Sequence, residues 1–323
     1  MTRAIVVRAH GGPEALRLED QKLSAPGAGQ VCVRVRAAGV NFIDVYFRTG
    51  LYPRPLPFVA GLEGAGVVEA VGPGVAGLVA GDRVAWASAP GSYAERVVAA
   101  ADALVKLPDG VSDETAAAAM LQGMTAHYLT FGVRTPRPGD VALVHAAAGG
   151  TGLLLVQMLA RAGVRVVGTC STAEKEALAR GAGCDTVVRH GEGEFVAAAR
   201  EATGGRGVDV VYDSVGQTTF DRSLQSLRPR GLLVLFGQAS GPVPAFDLQR
   251  LNAGGSLFVT RPSLAHYVAT RAELEERAGA VLGAAARGEL SVRIGGRFPL
   301  AEAAEAQRAL EGRGTTGKLV LIP

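Results

Sequence analysis

The sequence predicts an α/β protein in which a doubly wound parallel-sheet domain is inserted into a β-rich domain. Short β-branched or alternating runs bounded by Gly, Pro or Asp dominate the chain up to about residue 120. Apolar strands then alternate with amphipathic helices, which indicates a parallel sheet covered on both faces. A final helix and short strands are expected to pack back on the first part. The predicted domains are therefore 1–122 and 123–260, with 261–323 returning to the first.

Composition and charge exclude several classes of protein. Of the 323 residues, 48% are hydrophobic and 20% charged, so the chain can bury a large core and is not disordered. Its 33 basic and 30 acidic residues are spread evenly, which argues against an extended nucleic-acid surface. Three scattered cysteines form neither a disulfide framework nor a zinc knuckle. Without a signal-peptide pattern or an apolar stretch long enough for a membrane, we expect a cytoplasmic protein.

The strands of the β-rich part are predicted from residue type and alternation. They are placed at Ala4–Arg8, Val31–Ala37, Gly66–Val71, Arg83–Trp86 and Ala94–Val98. Their spacing is typical of a barrel-like unit. Pro53, Pro55 and Pro57 hold one loop extended. After Ser112, a helix is predicted over Glu114–Tyr128.

The strand–helix alternation begins at residue 141. Its strands are predicted at Val141–His145, Arg165–Thr169, Thr186–Val188, Val208–Tyr212, Leu232–Phe236 and Ser256–Thr260. Its helices are predicted at Gly149–Ala162, Thr172–Arg180, Glu194–Ala202 and Thr218–Leu227, and a later helix at Thr270–Arg287. Two βαβαβ halves of this kind give the doubly wound order.

The strongest local signal is the segment VALVHAAAGGTG, residues 141–152. A buried strand leads directly into a glycine-rich turn and an apolar helix, which is the context that a dinucleotide fingerprint requires. The fingerprint positions are Ala147, Gly149 and Gly152. Gly149 allows a pyrophosphate to approach the backbone, and Gly152 allows helix and strand to pack closely, with the helix N-terminus facing the anion. The alternative interpretation is an ordinary tight turn.

The second strand of the alternation indicates which dinucleotide is bound. NAD-binding domains carry an acid there for the ribose 2′-hydroxyl, whereas this strand ends in TCST, residues 169–172, followed by Lys175. A cation in the first turn of a helix is unfavourable by itself, and a 2′-phosphate makes it a charge-assisted contact. The alternative is a capping box of Ser171 and Glu174 beside a solvated Lys175. We predict NADPH as the cofactor.

Residues for a catalytic metal or a nucleophile are missing from the sequence. A zinc dehydrogenase of this architecture needs Cys, His and Glu ligands. Cys32 is the only cysteine before residue 170, and Leu62 stands where a metal-dependent relative carries His. Neither Ser88 nor Ser92 forms a G-x-S-x-G elbow. His145 ends a buried strand and is predicted to be structural, so no metal site is expected.

Nine segments distributed over the whole chain carry a family resemblance. They are HGGPE (His10–Glu14), NFIDVY (Asn41–Tyr46), GLYP (Gly50–Pro53), AGVVEAVG (Ala65–Gly72), AGDRV (Ala80–Val84), HAAAGGTG (His145–Gly152), VYDSVG (Val211–Gly216), VTRPS (Val259–Ser263) and GKLVLIP (Gly317–Pro323). The set resembles the zinc-independent quinone oxidoreductases of the medium-chain dehydrogenase/reductase superfamily, the zeta-crystallin-like group. The resemblance implies a GroES-like β domain enclosing a Rossmann domain, NADPH used without a metal, and cytoplasmic homodimers or larger assemblies. Such assemblies would pair through the sheet edge, here Ser256–Thr260.

The resemblance also implies the positions of the site residues. Phe42, Ile43, Asp44 and Tyr46 would border the nicotinamide, and Tyr128, Gly150 and Thr151 would contact the cofactor phosphates or ribose. Ser171, Thr172 and Lys175 would surround the 2′-phosphate. Ser214, Val215, Phe236 and Gly237 would line the adenine and nicotinamide sides, and Val259, Thr260, Arg261 and Arg313 would complete the cleft. His190 stands where close relatives often have a tyrosine near the 2′-phosphate, and its contact would depend on pH around its usual pKa of about 6.5.

Several of these residues also have ordinary structural interpretations. Asp44 can cap the helix that begins in NFID. Tyr46 and Tyr52 can be packing aromatics, and Arg261 can be a salt-bridge partner at the end of an apolar strand. At Asp44 the capping role and the site role are compatible. For Tyr46, Tyr52 and Arg261, the structural role and the site role both stay open.

With neither metal nor nucleophile, the chemistry is expected to come mainly from the cofactor. We predict an enzyme that transfers a hydride from NADPH to a quinone held flat in a cleft between the domains, with Asn41 or Tyr52 donating hydrogen bonds to oxyanion charge on the acceptor. The nearest alternative is an NADPH-dependent enone or enal reductase acting on C=C bonds. A more distant one is a non-catalytic protein that binds NADPH or RNA.

Overall fold

A computed structural model of the chain describes residues 1–190 and 194–323. The chain divides into two compact units: Met1–Met124 together with Thr270–Pro323 form the first, and Thr125–Ala269 form the second. The sequence placed the divisions after residues 122 and 260. The segment 261–269 belongs instead to the second unit because Tyr267 stacks on Tyr128 there, with ring centroids 4.4 Å apart.

The strands and helices have the following bounds. In chain order, the strands are β1 (Thr2–Val7), β2 (Leu16–Gln21), β3 (Gln30–Val40), β4 (Phe58–Val59), β5 (Glu63–Val71), β6 (Arg83–Trp86), β7 (Arg96–Ala100), β8 (Val105–Lys106), β9 (Val141–Val144), β10 (Arg165–Cys170), β11 (Thr186–Arg189), β12 (Val208–Asp213), β13 (Leu227–Leu235), β14 (Phe258–Thr260), β15 (Ile294–Pro299) and β16 (Lys318–Ile322). The helices are α1 (Phe42–Thr49), α2 (Asp113–His127), α3 (Gly150–Arg161), α4 (Ala173–Ala182), α5 (Phe195–Glu201), α6 (Phe220–Ser226), α7 (Gln249–Ala253), α8 (Leu264–Tyr267), α9 (Arg271–Ala286) and α10 (Ala303–Glu311).

The strands of the first unit pair into two sheets. One has the order β2-β1-β4, and the other has the order β15-β16-β3-β5-β6-β8, with β7 pairing on β3. Along β3, Val31, Val33 and Val35 are buried while Arg34 and Arg36 are exposed, the alternation of a half-buried strand. The β-rich unit predicted from strand spacing is therefore built from two sheets, with β1, β2 and β4 forming the smaller one.

The second unit contains the doubly wound sheet that the sequence predicts. Its strands run in the order β11-β10-β9-β12-β13-β14, and every recorded pairing among them is parallel. β9, the first strand of this sheet in chain order, lies in its middle, and the later strands are added outward on each side of it, as in a Rossmann domain. All four residues of β9 are fully buried. Because the strands are parallel, their carboxyl ends lie along one edge, where ligands of such sheets bind.

Among the strand starts that differ from the prediction, those of β7 and β14 have identifiable reasons. Ala94 forms an isolated bridge with Ala4 of β1, so the strand that pairs with β3 begins only at Arg96. The last strand of the parallel sheet begins at Phe258, because Ser256 has a left-handed backbone with φ of +58° that interrupts an extended run. The alternating pattern located both strands but not the residue at which each one starts.

A buried cluster around Glu63 ties the last strand of the chain to the first unit. Lys318 Nζ lies 2.5 Å from Glu63 Oε2 and 2.6 Å from Asn41 Oδ1. The Asn41 amide donates to Glu63 Oε2 at 2.8 Å, and the Leu121 backbone N–H donates to Glu63 Oε1 at 2.6 Å. Lys318 is 1% exposed and Glu63 is fully buried. Since an isolated buried charge is strongly disfavoured, each of the two charges requires the other.

We expect removal of one partner of this pair to destabilise the fold strongly. Lys318→Met should lower the free energy of unfolding by about 3–5 kcal/mol, because Glu63 then keeps a buried, uncompensated charge. The double variant Glu63→Gln/Lys318→Met should lose less free energy of unfolding than the sum of the losses in the two single variants. Urea denaturation followed by circular dichroism measures all three. Lys106→Met is the matched control, since Lys106 pairs with Asp82 at the surface, where such pairs contribute about 1 kcal/mol or less. Equal losses for the two lysine variants would contradict this account.

Candidate functional site

The predicted dinucleotide turn lies between β9 and α3 at the carboxyl edge of the parallel sheet. Gly149 is the N-cap of α3, and in the part of the chain that the structure describes no side chain caps this helix. The first N–H groups of a helix have no partner inside it and favour an anion. A Cβ at Gly152 would lie 2.9 Å from Ala147 Cα and would collide with the Ala146 carbonyl oxygen. Gly152 therefore permits the close packing of turn and helix that the fingerprint requires.

The carboxyl end of β10 carries the residues predicted to hold a 2′-phosphate. Thr172 caps α4, and its Oγ1 accepts a hydrogen bond from the Lys175 backbone N–H at 3.2 Å. The capping box of Ser171 and Glu174, considered as the alternative, does not form, because Thr172 is the N-cap and the helix begins one residue later. Ser171 Oγ instead accepts from Lys175 Nζ at 3.3 Å. Partial burial lowers the pKa of Lys175. The hydroxyl of Ser171 and the ammonium of Lys175 thus lie together at the edge of the sheet.

His190 and its neighbour Arg189 lie at the end of the next strand of the sheet, β11. The His190 backbone N–H donates to the Cys170 carbonyl at 2.9 Å, so the residue following β11 lies next to the end of β10. Arg189 pairs in register with Cys170, and its Nε lies 3.1 Å from Glu176 Oε2. Arg189 was not among the residues predicted from the sequence. Its position directly before His190, at the end of a parallel strand, was the signal that could have found it.

The ends of β12, β13 and β14 complete the edge of the sheet. The Asp213 carboxylate accepts hydrogen bonds from the Val215 and Gly216 backbone N–H groups, at 2.8 and 3.0 Å, which shapes the loop containing Ser214. A Cβ at Gly237 would lie 2.6 Å from the Ser214 carbonyl oxygen, so the loops after β12 and β13 approach closely. Phe236, Val259 and Thr260 are half-buried. Arg261 Nη1 donates to the Leu235 carbonyl oxygen at 3.2 Å.

Tyr128 has mainly a packing environment in the structure. It begins the π-turn Tyr128–Gly132, is 2% exposed, and stacks on Tyr267 with an interplanar angle of 10°. Burial raises the pKa of its phenol. Tyr267 was not predicted, because it follows the sheet by several residues and lies in a four-residue helix without a motif of its own.

In the first unit, the predicted residues gather around α1. Asn41 caps this helix, and Asp44 accepts from the Asn41 backbone N–H at 2.9 Å, which confirms the capping role considered for Asp44. The rings of Tyr46 and Tyr52 lie 5.2 Å apart, and Tyr52 meets Phe47 edge-on at 6.0 Å. Packing is thus one role of both tyrosines, and each remains half-exposed. Phe42 and Ile43 are half-buried on α1, whereas Arg313 lies after α10 in an exposed turn with φ of +57°.

Asn41 does not fit its predicted role as a hydrogen-bond donor to substrate. Its amide nitrogen donates to Glu63 and to the Gly39 carbonyl, and its amide oxygen accepts from Lys318. The residue is 3% exposed. The amide belongs to the structural cluster around Glu63, which leaves Tyr52 as the candidate for orienting an acceptor oxygen.

Asp44 is a buried carboxylic acid with an unusual balance of contacts. Its Oδ2 accepts from the Tyr93 hydroxyl at 2.8 Å as well as from Asn41 N, while its Oδ1 has no hydrogen-bond partner within the described residues. Burial raises the pKa of Asp44 to about 6; the hydrogen bonds and the nearby Lys318 ammonium act in the opposite direction, and Glu63 adds to the rise. This acid changes its charge near neutral pH.

Residues 1–190 and 194–323 contain no group of three or more His, Cys, Asp and Glu side chains that could hold a metal ion. Across the same residues, no helix is both long enough and apolar enough to cross a membrane. A groove of about 960 Å³ lies within the first unit, between the loops around Gly74–Leu78 and Ala100–Pro108 and helix α9. None of the predicted site residues lines it.

Comparison with known proteins identifies the family. Residues 27–109 match the family model described as the alcohol dehydrogenase GroES-like domain, and residues 150–276 match the one described as zinc-binding dehydrogenase. A quinone oxidoreductase of Pseudomonas aeruginosa is 47% identical, with all of both chains covered. The chain belongs to the quinone oxidoreductases of the medium-chain dehydrogenase/reductase superfamily.

Two further relatives bear on the site of this quinone oxidoreductase family member. A mycobacterial protein whose structure was solved in complex with NADPH is 52% identical, with a TM-score of 0.97 and coverage of 99% of this chain and 100% of that one. A 2-haloacrylate reductase of Burkholderia is 43% identical, covering 100% of this chain and 99% of its own. The family resemblance and the GroES-like and Rossmann fold class predicted from the sequence are confirmed.

The buried acid of α1 should make stability depend on pH. Because the folded pKa of Asp44 is about 6 and lies above its ordinary value of about 3.9, the folded state binds the extra proton between these values. Its contribution is fully present below about pH 4 and is lost as pH rises through 6. We therefore expect the stability of Asp44→Asn relative to the wild type to rise by about 1.4 kcal/mol between pH 5 and pH 8.

Urea denaturation at the two pH values measures this difference. Asp82→Asn is the control of opposite sign, because hydrogen bonds from Lys106 and Val79 lower the pKa of Asp82. Its carboxylate stabilises the fold above its ordinary pKa, so removing it should destabilise the protein at pH 8. An Asp44→Asn difference independent of pH would show that the carboxyl is not titrating in this range.

Proposed function

We propose that this protein is an NADPH-dependent quinone oxidoreductase. The assignment of NADPH as the cofactor rests on the contact between Lys175 Nζ and Ser171 Oγ at the carboxyl end of β10. An NAD-binding domain would place an acid there. A cation beside a hydroxyl suits a 2′-phosphate, which accepts charge-assisted hydrogen bonds. The mycobacterial relative in complex with NADPH supports the same assignment. The assignment of a quinone as the acceptor is supported by full-length similarity to the Pseudomonas aeruginosa enzyme.

The residues of the second unit fit such a cofactor. The N–H groups at the start of α3 would hold the pyrophosphate, and Gly149 has no side chain to obstruct it. Ser171, Thr172 and Lys175 would hold the 2′-phosphate, with His190 directly after the neighbouring strand β11. When bound, NADPH supplies the hydride for the reduction. The remaining cofactor contacts proposed for this unit are those of Tyr128, Gly150, Thr151, Gly152, Ser214, Phe236, Gly237, Val259, Thr260 and Arg261.

In the first unit, Tyr52 is proposed to orient the acceptor. Its ring is held against Tyr46 and Phe47 and is half-exposed, so its direction is fixed by packing while part of it stays accessible. A phenolic hydroxyl can donate a hydrogen bond to an oxygen that gains negative charge during reduction. The residues of this unit that the family resemblance assigns to the cofactor are Phe42, Ile43, Asp44, Tyr46 and Arg313.

Reduction of an activated C=C bond is the second candidate function. It is favoured by the 43% identity to the Burkholderia 2-haloacrylate reductase over the full length of this chain. An acceptor with a carbonyl or carboxylate next to the double bond would need the same orienting hydrogen bond. The two candidates therefore differ in the acceptor and not in the residues that hold the cofactor.

We also propose that two copies pair through strand β14 and that the protein works in the cytoplasm. β14 is an edge of the six-stranded sheet, and its Phe258 is 59% exposed. An exposed edge strand offers unpaired N–H and C=O groups to a second strand. The three cysteines are free and buried, which suits a reducing compartment.

Turnover assays test the cofactor and the acceptor together. We expect faster oxidation of NADPH than of NADH with 9,10-phenanthrenequinone or 1,4-benzoquinone, and slower oxidation with a simple enone or 2-chloroacrylate. Lys175→Met should raise the KM for NADPH about tenfold or more, with little change for NADH, because it removes a charge-assisted contact to the 2′-phosphate. Lys22→Met, at an exposed lysine of the first unit, is the control. Absorbance at 340 nm reports each rate.

The possible outcomes separate the candidates. Activity confined to the enone or the haloacrylate would move the protein to C=C reduction. NADPH binding without turnover of any acceptor would point to a binding role. Equal effects of Lys175→Met on the two cofactors would remove the 2′-phosphate assignment.

The pairing surface has its own test. We expect the wild type to sediment as a particle of about twice the 33.1 kDa chain mass, and Phe258→Asp to shift it toward the monomer, because a carboxylate would be buried at the paired edge. Val79→Asp, at a residue that is 61% exposed in the first unit, should leave the sedimentation unchanged. A dimer that survives Phe258→Asp places the contact elsewhere.

A further inference from the structure

A chain of buried hydrogen bonds connects the dinucleotide turn to the loop after β12, and His145 is its centre. His145 Nδ1 lies 3.1 Å from Thr169 Oγ1, and Nε2 lies 2.9 Å from Ser223 Oγ. Thr169 Oγ1 also accepts from the Ala146 backbone N–H at 3.3 Å. At the other end, Ser223 Oγ donates to Asp213 Oδ2 at 3.0 Å. His145, Thr169, Ser223 and Asp213 are all fully buried.

The direction of every hydrogen bond in this chain follows from Asp213. Its Oδ2 accepts from Ser223 and from the Thr219 hydroxyl, and its Oδ1 accepts from two backbone N–H groups. Since Ser223 gives its single proton to the carboxylate, its oxygen must accept from His145 Nε2–H. The neutral ring then has Nδ1 as its acceptor, which receives the Thr169 hydroxyl proton. The chain therefore runs from Ala146 N–H through Thr169, His145 and Ser223 to the carboxylate.

We propose that His145 is a positioning residue for the cofactor: its two ring nitrogens fix the turn at Ala146 and the loop at Val215 and Gly216 in one mutual geometry. Both ends of the chain are backbone that the proposed function places against NADPH, and the inference rests on that function. Ala146 has a left-handed backbone with φ of +51°, a conformation that alanine rarely adopts. The bond from its N–H to Thr169 stabilises that conformation.

The same side chains could suggest a nucleophilic site, but their order argues against one. In a Ser-His-Asp triad the histidine lies between the serine and the acid and accepts the serine proton. Here Ser223 lies between His145 and Asp213 and gives its proton to the carboxylate. Ser223 is also fully buried beneath the sheet edge. The arrangement suits a fixed scaffold and provides no attacking oxygen.

The α6 helix and the π-turn provide matched controls for testing this role. Ser223 and Ser226 are both buried on α6, but the Ser226 hydroxyl donates to the Arg222 carbonyl of its own helix at 2.9 Å. Thr130 is likewise a buried threonine of the second unit, and its hydroxyl donates to the Ala126 carbonyl at 2.8 Å. Ser223→Ala and Thr169→Val break the chain, whereas Ser226→Ala and Thr130→Val remove equally buried hydroxyls outside it. Gly149→Asp, which places a carboxylate at the turn, is the reference for lost cofactor binding.

Three measurements are made on each variant: the Kd for NADPH from cofactor fluorescence, the melting temperature without NADPH, and hydrogen–deuterium exchange of the peptide covering residues 145–152 without NADPH. We expect Ser223→Ala and Thr169→Val each to raise the Kd about five- to tenfold, the effect of one buried hydrogen bond. Each should also speed exchange of the turn peptide. The double variant should weaken binding by less than the product of the two single effects, because both act through His145. The controls should lower the melting temperature by similar amounts while leaving both other readouts within about twofold.

The inference is overturned if Ser226→Ala and Thr130→Val change the Kd and the turn exchange as much as the chain variants do, since the effects would then follow stability alone. It is equally overturned if the chain variants leave both readouts unchanged. Failure of the proposed function looks different: the wild type itself would bind no NADPH. Exchange of the turn peptide, which needs no cofactor, would still decide whether His145 holds the turn.

Discussion

The ion pair between Lys318 and Glu63 is the interaction on which the first unit depends, because one buried carboxylate joins segments that are far apart in the chain. Lys318 from β16, Asn41 at the start of α1 and Leu121 of α2 all donate to it. A buried charge held by several donors has one favourable geometry, and its free energy rises steeply if any partner moves away. The neighbouring glycine shows how tightly this region is packed: a Cβ at Gly39 would lie 2.5 Å from the Ala117 carbonyl oxygen and would collide with Glu63.

The second unit is organised by a constraint of a different kind, the common direction of its strands. Because β9, β10 and β12 are parallel neighbours, the turn after β9, the Ser171–Lys175 contact after β10 and the Asp213 carboxylate at the end of β12 all lie along one edge. The buried hydrogen bonds through His145 cross these strands beneath that edge. Backbone direction brings the polar groups together, and side-chain hydrogen bonds fix their positions.

Features with a local signal were predictable from the sequence, and features built by distant partners were not. Apolar runs and turn residues indicate the glycine turn and the six parallel strands. The Rossmann fold, and the close packing of turn and helix at Gly152, were therefore predicted correctly. The helix cap at Thr172 was displaced by one residue, because Ser171 and Thr172 are equally good caps by type. Asn41 was wrongly considered as a donor to the substrate. Its actual partners, Glu63 and Lys318, stand 22 and 277 residues away in the sequence and could not be foreseen from it. Nothing in the NFIDVY segment indicates that its amide is occupied by them.

The first unit is assembled from two stretches of chain that flank the whole of the second, and this has a consequence for biosynthesis. On the ribosome, residues 125–269 emerge before residues 270–323, so the parallel sheet has all of its strands while β3 still lacks β16. At that stage Glu63 has no lysine, and the region around it cannot close over an unpaired charge. A nascent chain therefore carries every strand of the parallel sheet before it carries the last strand of the first unit. Exposure to chaperones and proteases should be concentrated in that interval and on that half of the molecule.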